Sequence, residues 1–419
     1  MNVSLPGPAE PPARRLARLR GPAPQRSLDA RALAALAANP GCRRRALLDA
    51  AGVDKAALAD RLGSPAPFGQ SPFAIARGHV FESRVKADSY AELLLLLHRH
   101  LGLPEARAAE VATPDLLPRA GNAVRTERTR QALAEATAGP GRWTLLDHPM
   151  LRLDVAGSPA YLEPDAVVVR PDGRWTVVEI KSFPILDGAA DPAKVGAAAR
   201  QTAVYVLALR ETAADLAGIK PDADPYAVPE GLAAAPDHTV LLVCPKDFSN
   251  RPTAAAVDVR REMAVTRRQL QRMAGIDQLL DALPADAGFD VSTDEDGNPA
   301  RSAEQLGDSV AAVPAAYAPD CLSACELGFH CRQEARCAGA VEQLGRSVRG
   351  ELGSIRTVPA ALTAATPTAP DAAPDPDPGL APDEAAARLA RAATLRAEAL
   401  AEAAAGAHAA ARTEEATGA

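Results

Sequence analysis

Three charged side chains stand where a buried strand normally carries apolar ones. In "YLEPDAVVVRPDGRWTVVEIKSF", residues 161–183, two runs of β-branched residues flank a Pro-Asp-Gly turn and hold Asp165, Glu179 and Lys181. "RPDGR" suits a three-residue hairpin loop, with Pro171 opening a type I turn and Gly173 taking the left-handed position. That register pairs Arg170 with Arg174, so Asp165 falls opposite Glu179. Side chains two apart share a face, so Lys181 joins them. Two carboxylates about 5 Å apart beside one ammonium leave a surplus acid that repels its neighbour. A divalent cation removes the conflict, and hard carboxylate oxygens suit Mg²⁺ or Mn²⁺. A lone Glu-x-Lys on a strand is usually a solvated edge. Here Val177 on one face and Val178 and Ile180 on the other argue against that.

The flanking stretches add spaced polar residues. Downstream, "RQTAVYVLAL" sets Gln201 and Tyr205 four apart, on one face of a helix. Upstream, "ARGHVFESRV" carries Gly78, His79 and Glu82. The "EPD" and "EIK" strands followed by Gln-x-x-x-Tyr resemble the RecB-type branch of the PD-(D/E)XK nucleases, over about residues 40–340. The resemblance implies an α/β, restriction-endonuclease-like mixed sheet with flanking helices. It implies a deoxyribonuclease that hydrolyses DNA phosphodiester bonds with Mg²⁺ or Mn²⁺. Asp165, Glu179, the Ile180 carbonyl and Glu82 then hold the ion, Lys181 orients the attacking water, and Gln201 and Tyr205 position the phosphate or the lysine. Glu82 stands where the branch carries a histidine, which is a departure. His79, about 100° around the helix from Gly78, is the second choice.

Cysteine placement is a separate signal. "PDCLSACELGFHCRQEARC" holds Cys321, Cys325, Cys331 and Cys337, and "NPGCRRRALLD" holds Cys42. One cysteine before the core and a cluster after it resembles the iron–sulfur branch of these nucleases, although the C-x₃-C-x₅-C spacing departs from the usual C-x₂-C-x₅-C. The resemblance implies a [4Fe–4S] cluster on Cys42, Cys321, Cys325 and Cys331, leaving Cys337 spare. Zinc on Cys321, Cys325, Cys331 and Cys337 is the alternative. Cys244, in an apolar strand, reads as a core residue.

The elements that must position these groups follow from periodicity. Helices are expected over about 72–101 (with a break), 123–137 and 192–214, and strands over 143–155, 160–170 and 174–183 as an antiparallel meander. Ile75, Leu93, Leu94 and Leu97 mark the apolar face of the first helix. Further strands, "HTVLLVCP" and "AAAVDVR", precede an Arg-rich helix at about 260–282. On it Arg261, Arg268 and Arg272 share a face, either solvated or turned to DNA phosphates.

Three domains are expected. Residues 1–29 form a disordered Pro/Arg-rich arm, 30–350 the nuclease domain, and 351–419 an Ala/Pro-rich disordered tail with one helix near 382–411. The 419-residue chain carries a net charge of −7, which excludes coating nucleic acid by bulk charge. No run approaches a membrane helix, and the N-terminus lacks an apolar signal core. Six cysteines then favour metal chemistry in a cytoplasmic protein over disulfides. DNA is the expected partner. Without a helicase motif, any motor is a separate helicase, repair or defence protein. The competing readings are a catalytically silent nucleic-acid-binding or scaffold module of the same fold, and a zinc-stabilised regulator.

Overall fold

The structure is a computed structural model that describes residues 10–65, 72–103, 110–139, 141–155, 158–186, 188–219, 236–274, 276–366 and 384–417. The chain divides into two units, Met1–Ala315 with Ala324–Glu326, and Ala316–Ser323 with Leu327–Ala419. Among the described residues no helix is long and apolar enough to cross a membrane.

The first unit is mixed α/β. Helices α1 (Pro12–Arg20), α2 (Ala30–Ala38), α3 (Arg43–Ala51), α4 (Lys55–Arg61), α5 (Pro72–Val85) and α6 (Ala87–Leu101) come first. Then follow β1 (Val111–Ala112), α7 (Asn122–Ala138), β2 (Trp143–Asp147), β3 (Leu151–Val155), β4 (Ser158–Leu162), β5 (Ala166–Val169) and β6 (Trp175–Ile180). Helix α8 (Pro192–Leu216), β7 (Thr239–Pro245), β8 (Pro252–Asp258) and α9 (Arg260–Ala274) complete the layers. The six-stranded sheet has the order β1-β2-β5-β6-β7-β8. Its β1/β2 and β6/β7 pairs are parallel and the others antiparallel.

The hairpin forms in the expected register. Ala166 pairs with Val178 and Val169 with Trp175. Arg170 N donates to Arg174 O at 2.9 Å, and Gly173 sits at φ +81°. The single meander does not form. His148 at φ 45° and Pro149, which has no N–H to give a ladder, end β2 early. Strands β3 and β4 then pair only with each other, and β2 runs beside β5.

Both sheet faces are covered. Phe81, Val85, Leu93 and Leu97 of α5 and α6 pack with Val168, Val178 and Val243. On the other face, Leu33, Leu133, Val204 and Leu270 of α2, α7, α8 and α9 pack with Val167, Val177 and Val240. Each such side chain contributes about 1.5–3 kcal/mol on full burial. Strand β6 is buried at every position, so an acid within it stands out. Ile75 does not join the apolar face and is 45% exposed. The expected break falls at the start of α6. Asp88, Ser89 and Tyr90 there hold left-handed backbone, at φ 51°, 54° and 66°.

The N-terminal arm departs from expectation. Residues 1–9 lie outside the described residues, but α1 buries Leu16 and Leu19. Arg20 Nη1 donates to Ala51 O at 2.8 Å, and Arg15 pairs with Asp281 at 2.7 Å. Two leucines a turn apart outweigh the Pro/Arg-rich composition.

In the second unit, Val341, Leu352, Ile355 and Ala385 form a small core of their own. Part of the tail read as unstructured is the helix Val358–Ala365, capped by Thr357, whose Oγ1 accepts from Ala360 N at 3.3 Å. The expected tail helix spans Glu384–Thr417. Residues 367–383 and 418–419 lie outside the described residues.

Candidate metal centre

Asp165 immediately precedes β5. Its Oδ2 accepts from Ile180 N at 2.6 Å, a side-chain bond placed where the ladder would continue. The hairpin register carries it opposite Glu179, as expected. Glu179 is 1% exposed. Lys181 Nζ lies 2.6 Å from Glu179 Oε1 and donates to Gln201 Oε1 at 3.1 Å. Gln201 Nε2 donates to Tyr205 Oη at 2.8 Å, and that hydroxyl donates to Glu163 O at 3.2 Å. The helical i, i+4 pair therefore braces the lysine, with Tyr205 anchored to the strand that brings Asp165.

Glu82, on the last turn of α5, completes the group. Its ligand atom, one of His148 and one of Asp165 all lie within 4.8 Å of one another. His148 Nε2 is 2.9 Å from Glu82 Oε1. His79 is exposed, so Glu82 is the better choice of the two. His148, Lys86 and Asp147 escaped the sequence reading. Lys86 Nζ lies 2.6 Å from Glu82 Oε1, 2.6 Å from Asp147 Oδ1, 3.0 Å from His148 Nε2 and 3.0 Å from Asp165 O. The signal for His148 was the neighbouring strand pair. The β2/β5 register sets Asp147 against Ala166, which carries His148 beside Asp165, and His148 N donates to Asp165 O at 3.3 Å.

The electrostatics show an unbalanced site. Burial, then the charge of Asp165, pushes the Glu179 carboxyl up to about 7 against the pull of Lys181. Burial also raises Asp165, although Ile180 N and Lys181 oppose it. Glu82 is held down at about 2 by its hydrogen bond to His148 and by Lys86. The same bond to Glu82 raises His148. Burial sends Tyr205 well above the ordinary tyrosine range. Among the described residues, the four carboxyls of Glu82, Asp147, Asp165 and Glu179 share two ammonium groups, Lys86 and Lys181, and Glu179 Oε2 is buried with no partner. Four ionised carboxylates against two ammonium groups would leave two negative charges, the complement of one divalent cation. Carboxylate oxygens with one imidazole suit Mg²⁺ or Mn²⁺, the imidazole favouring Mn²⁺.

All six cysteines are free of disulfides. Cys42 is the N-cap residue of α3, and Cys325 hydrogen-bonds the buried Arg45 guanidinium. In the second unit Cys321 and Cys331 both act electrostatically on Tyr317. A Cβ at Gly328 would lie 2.6 Å from Cys321 O, so only glycine permits that approach. Cys337 is exposed, and Cys244 is buried in β7, its thiol pushed up to about 12 by burial.

On α9, Arg261 and Arg268 are exposed, and Arg272 Nη1 donates to Pro40 O at 3.0 Å. No protein-family model matches this chain, and no curated protein matches it.

Proposed function

We propose that the chain is a metal-dependent nuclease of the RecB-type PD-(D/E)XK class, hydrolysing DNA phosphodiester bonds. One observation carries the reading. A buried acid with an orphaned oxygen, Glu179, lies by register opposite Asp165 and beside Lys181, with Glu82 and His148 converging on Asp165. The restriction-endonuclease-like fold is part of the proposal. Its support is a sheet in which β2, β5 and β6 run antiparallel, α8 follows, and β7 adds in parallel, with helices on both faces.

Asp165, Glu179, Glu82 and His148 would hold Mg²⁺ or Mn²⁺, and the resemblance adds the Ile180 carbonyl. The ion, when bound, polarises the scissile phosphate and acidifies a water. Lys181, steadied by Gln201, orients that water and neutralises charge that develops on the phosphate. Exposed Arg261 and Arg268 supply cations for the DNA backbone. The [4Fe–4S] cluster on Cys42, Cys321, Cys325 and Cys331 remains a proposal from sequence spacing, with zinc as its competitor. Iron, sulfide and zinc content of anaerobically purified protein tests it.

Lys86 favours a second reading. An ammonium already bonded to the acids also suits a catalytically silent module of the same fold. A digestion panel decides between them. Single- and double-stranded DNA and RNA are incubated with Mg²⁺ or Mn²⁺, with Lys181→Ala as control. DNA cleavage by wild type alone supports the nuclease. No cleavage under any condition, or equal cleavage by Lys181→Ala, contradicts it.

A further inference from the structure

We propose that Lys86 is a built-in counter-ion, and that a divalent cation enters the site only by displacing its ammonium group. The inference rests on the metal-centre reading above and deepens it by assigning a residue that sets when the site loads.

The geometry makes the two cations exclusive. Lys86 Nζ is within 3.0 Å of His148 Nε2 and 2.6 Å from Glu82 Oε1. His148 Nε2 either carries a proton, which it donates to Glu82, or has a lone pair, which accepts from Lys86 or binds a metal; a metal-bound Nε2 makes neither hydrogen bond. Nε2 is also 2.9 Å from Glu82 Oε1, so three groups share one small volume. A cation coordinated by Glu82 and His148 has to take the Lys86 contact. Two unit positive charges at such a separation repel strongly inside a protein.

The backbone around Lys86 is built unusually. The residue lies between α5 and α6, and Asp88, Ser89 and Tyr90 follow in left-handed conformation. None is glycine, so each holds a backbone conformation disfavoured for its side chain. The reversal sends both Lys86 and Tyr90 to Asp147. Lys86 reaches its Oδ1 at 2.6 Å, and Tyr90 hydrogen-bonds it. Asp147 lies outside the converging Glu82, His148 and Asp165 set. It therefore offers the displaced ammonium a partner beside the site, so release from Glu82 and His148 leaves Lys86 still paired.

The test uses the full chain and Mn²⁺ as the probe. Calorimetric titration compares wild type, Lys86→Met and Lys86→Gln at one pH, with circular dichroism checking the fold. Removing the competing charge is expected to tighten Mn²⁺ binding about tenfold or more. The metal-free variants should melt below wild type and gain more from Mn²⁺ than wild type does. In the wild-type protein, mass spectrometry after brief amine acylation reads Lys86 directly, without a variant. Its labelling should rise when Mn²⁺ binds. Variants that bind Mn²⁺ no more tightly than wild type, or Lys86 labelling that holds or falls, overturn the counter-ion role. In that case a wild type that binds Mn²⁺ and an Asp165→Asn protein that does not would leave the metal centre standing. Absence of Mn²⁺ binding in wild type and both Lys86 variants overturns the metal centre and this inference together.

Discussion

Two buried charge clusters of the first unit make opposite use of their acids. On α3, Asp49 Oδ2 accepts from Arg45 Nε at 3.1 Å and Oδ1 from Lys55 Nζ at 2.6 Å. Burial pulls the Lys55 ammonium down, and Asp49 with Glu326 more than restores it, so the net shift is upward. Both oxygens of Asp49 are used there, and Glu326, which also acts on Arg45 and Lys55, brings acids and cations into balance. Around Asp165 that balance fails. Acids outnumber ammonium groups, Glu179 Oε2 has no partner, and two stretches of non-glycine backbone, Asp88–Tyr90 and His148, are left-handed. A network whose cations match its acids needs no further charge. One whose buried acids outnumber its cations is suited to take up a cation.

The difference breaks most visibly when the charged residues are removed. Asp165→Ala, Glu179→Ala and Lys181→Ala should each lower DNA cleavage by about 10³-fold or more while circular dichroism stays that of wild type. Asp49→Ala should do the reverse. Stranding Arg45 and Lys55 in the interior costs about 3–5 kcal/mol, seen by urea denaturation, with Mn²⁺ affinity retained in the folded fraction.

The third prediction follows from Glu179. Its carboxyl stands at about 7 in the folded chain, against about 4.5 when unperturbed. A raised folded value means the folded state holds the proton more tightly. Stability therefore falls as pH rises from about 4.5 to about 7, by on the order of 3 kcal/mol, then levels off. Thermal melts without metal should show this loss in wild type and much less of it in Glu179→Gln. Mn²⁺ should flatten the wild-type curve. A Glu179→Gln protein with the same pH slope as wild type would place the effect elsewhere. The smallest effect sharpens the ligand choice. Glu82→Ala should lower cleavage about tenfold or more, whereas His79→Ala, at an exposed position, should leave it near wild type.

What could be read from sequence was local. "RPDGR" between alternating strands sets the register, and the i, i+4 rule aligns Gln201 with Tyr205, so Asp165, Glu179, Lys181 and that pair converge as expected. His148 and Lys86 reach the site from other elements. Finding them required knowing that β2 lies beside β5 with β3 and β4 set apart, and that α6 opens with a left-handed turn. Neither has a strong local signature, because three non-glycine residues at positive φ are disfavoured by their own sequence. Helix α1 was hidden for a related reason. Composition predicts an arm without structure, and only packing of Leu16 and Leu19 reverses it.

Crystals of the wild-type protein soaked in Mn²⁺, with anomalous difference maps recorded for manganese, test the central claim most directly. The expected result is one strong peak at about 2.1 Å from carboxylate oxygens of Asp165 and Glu179, bordered by Glu82 and His148, with the Lys86 ammonium moved off Glu82. A map with no peak among these residues, while Lys86 keeps its bonds to Glu82 and His148, would contradict the account.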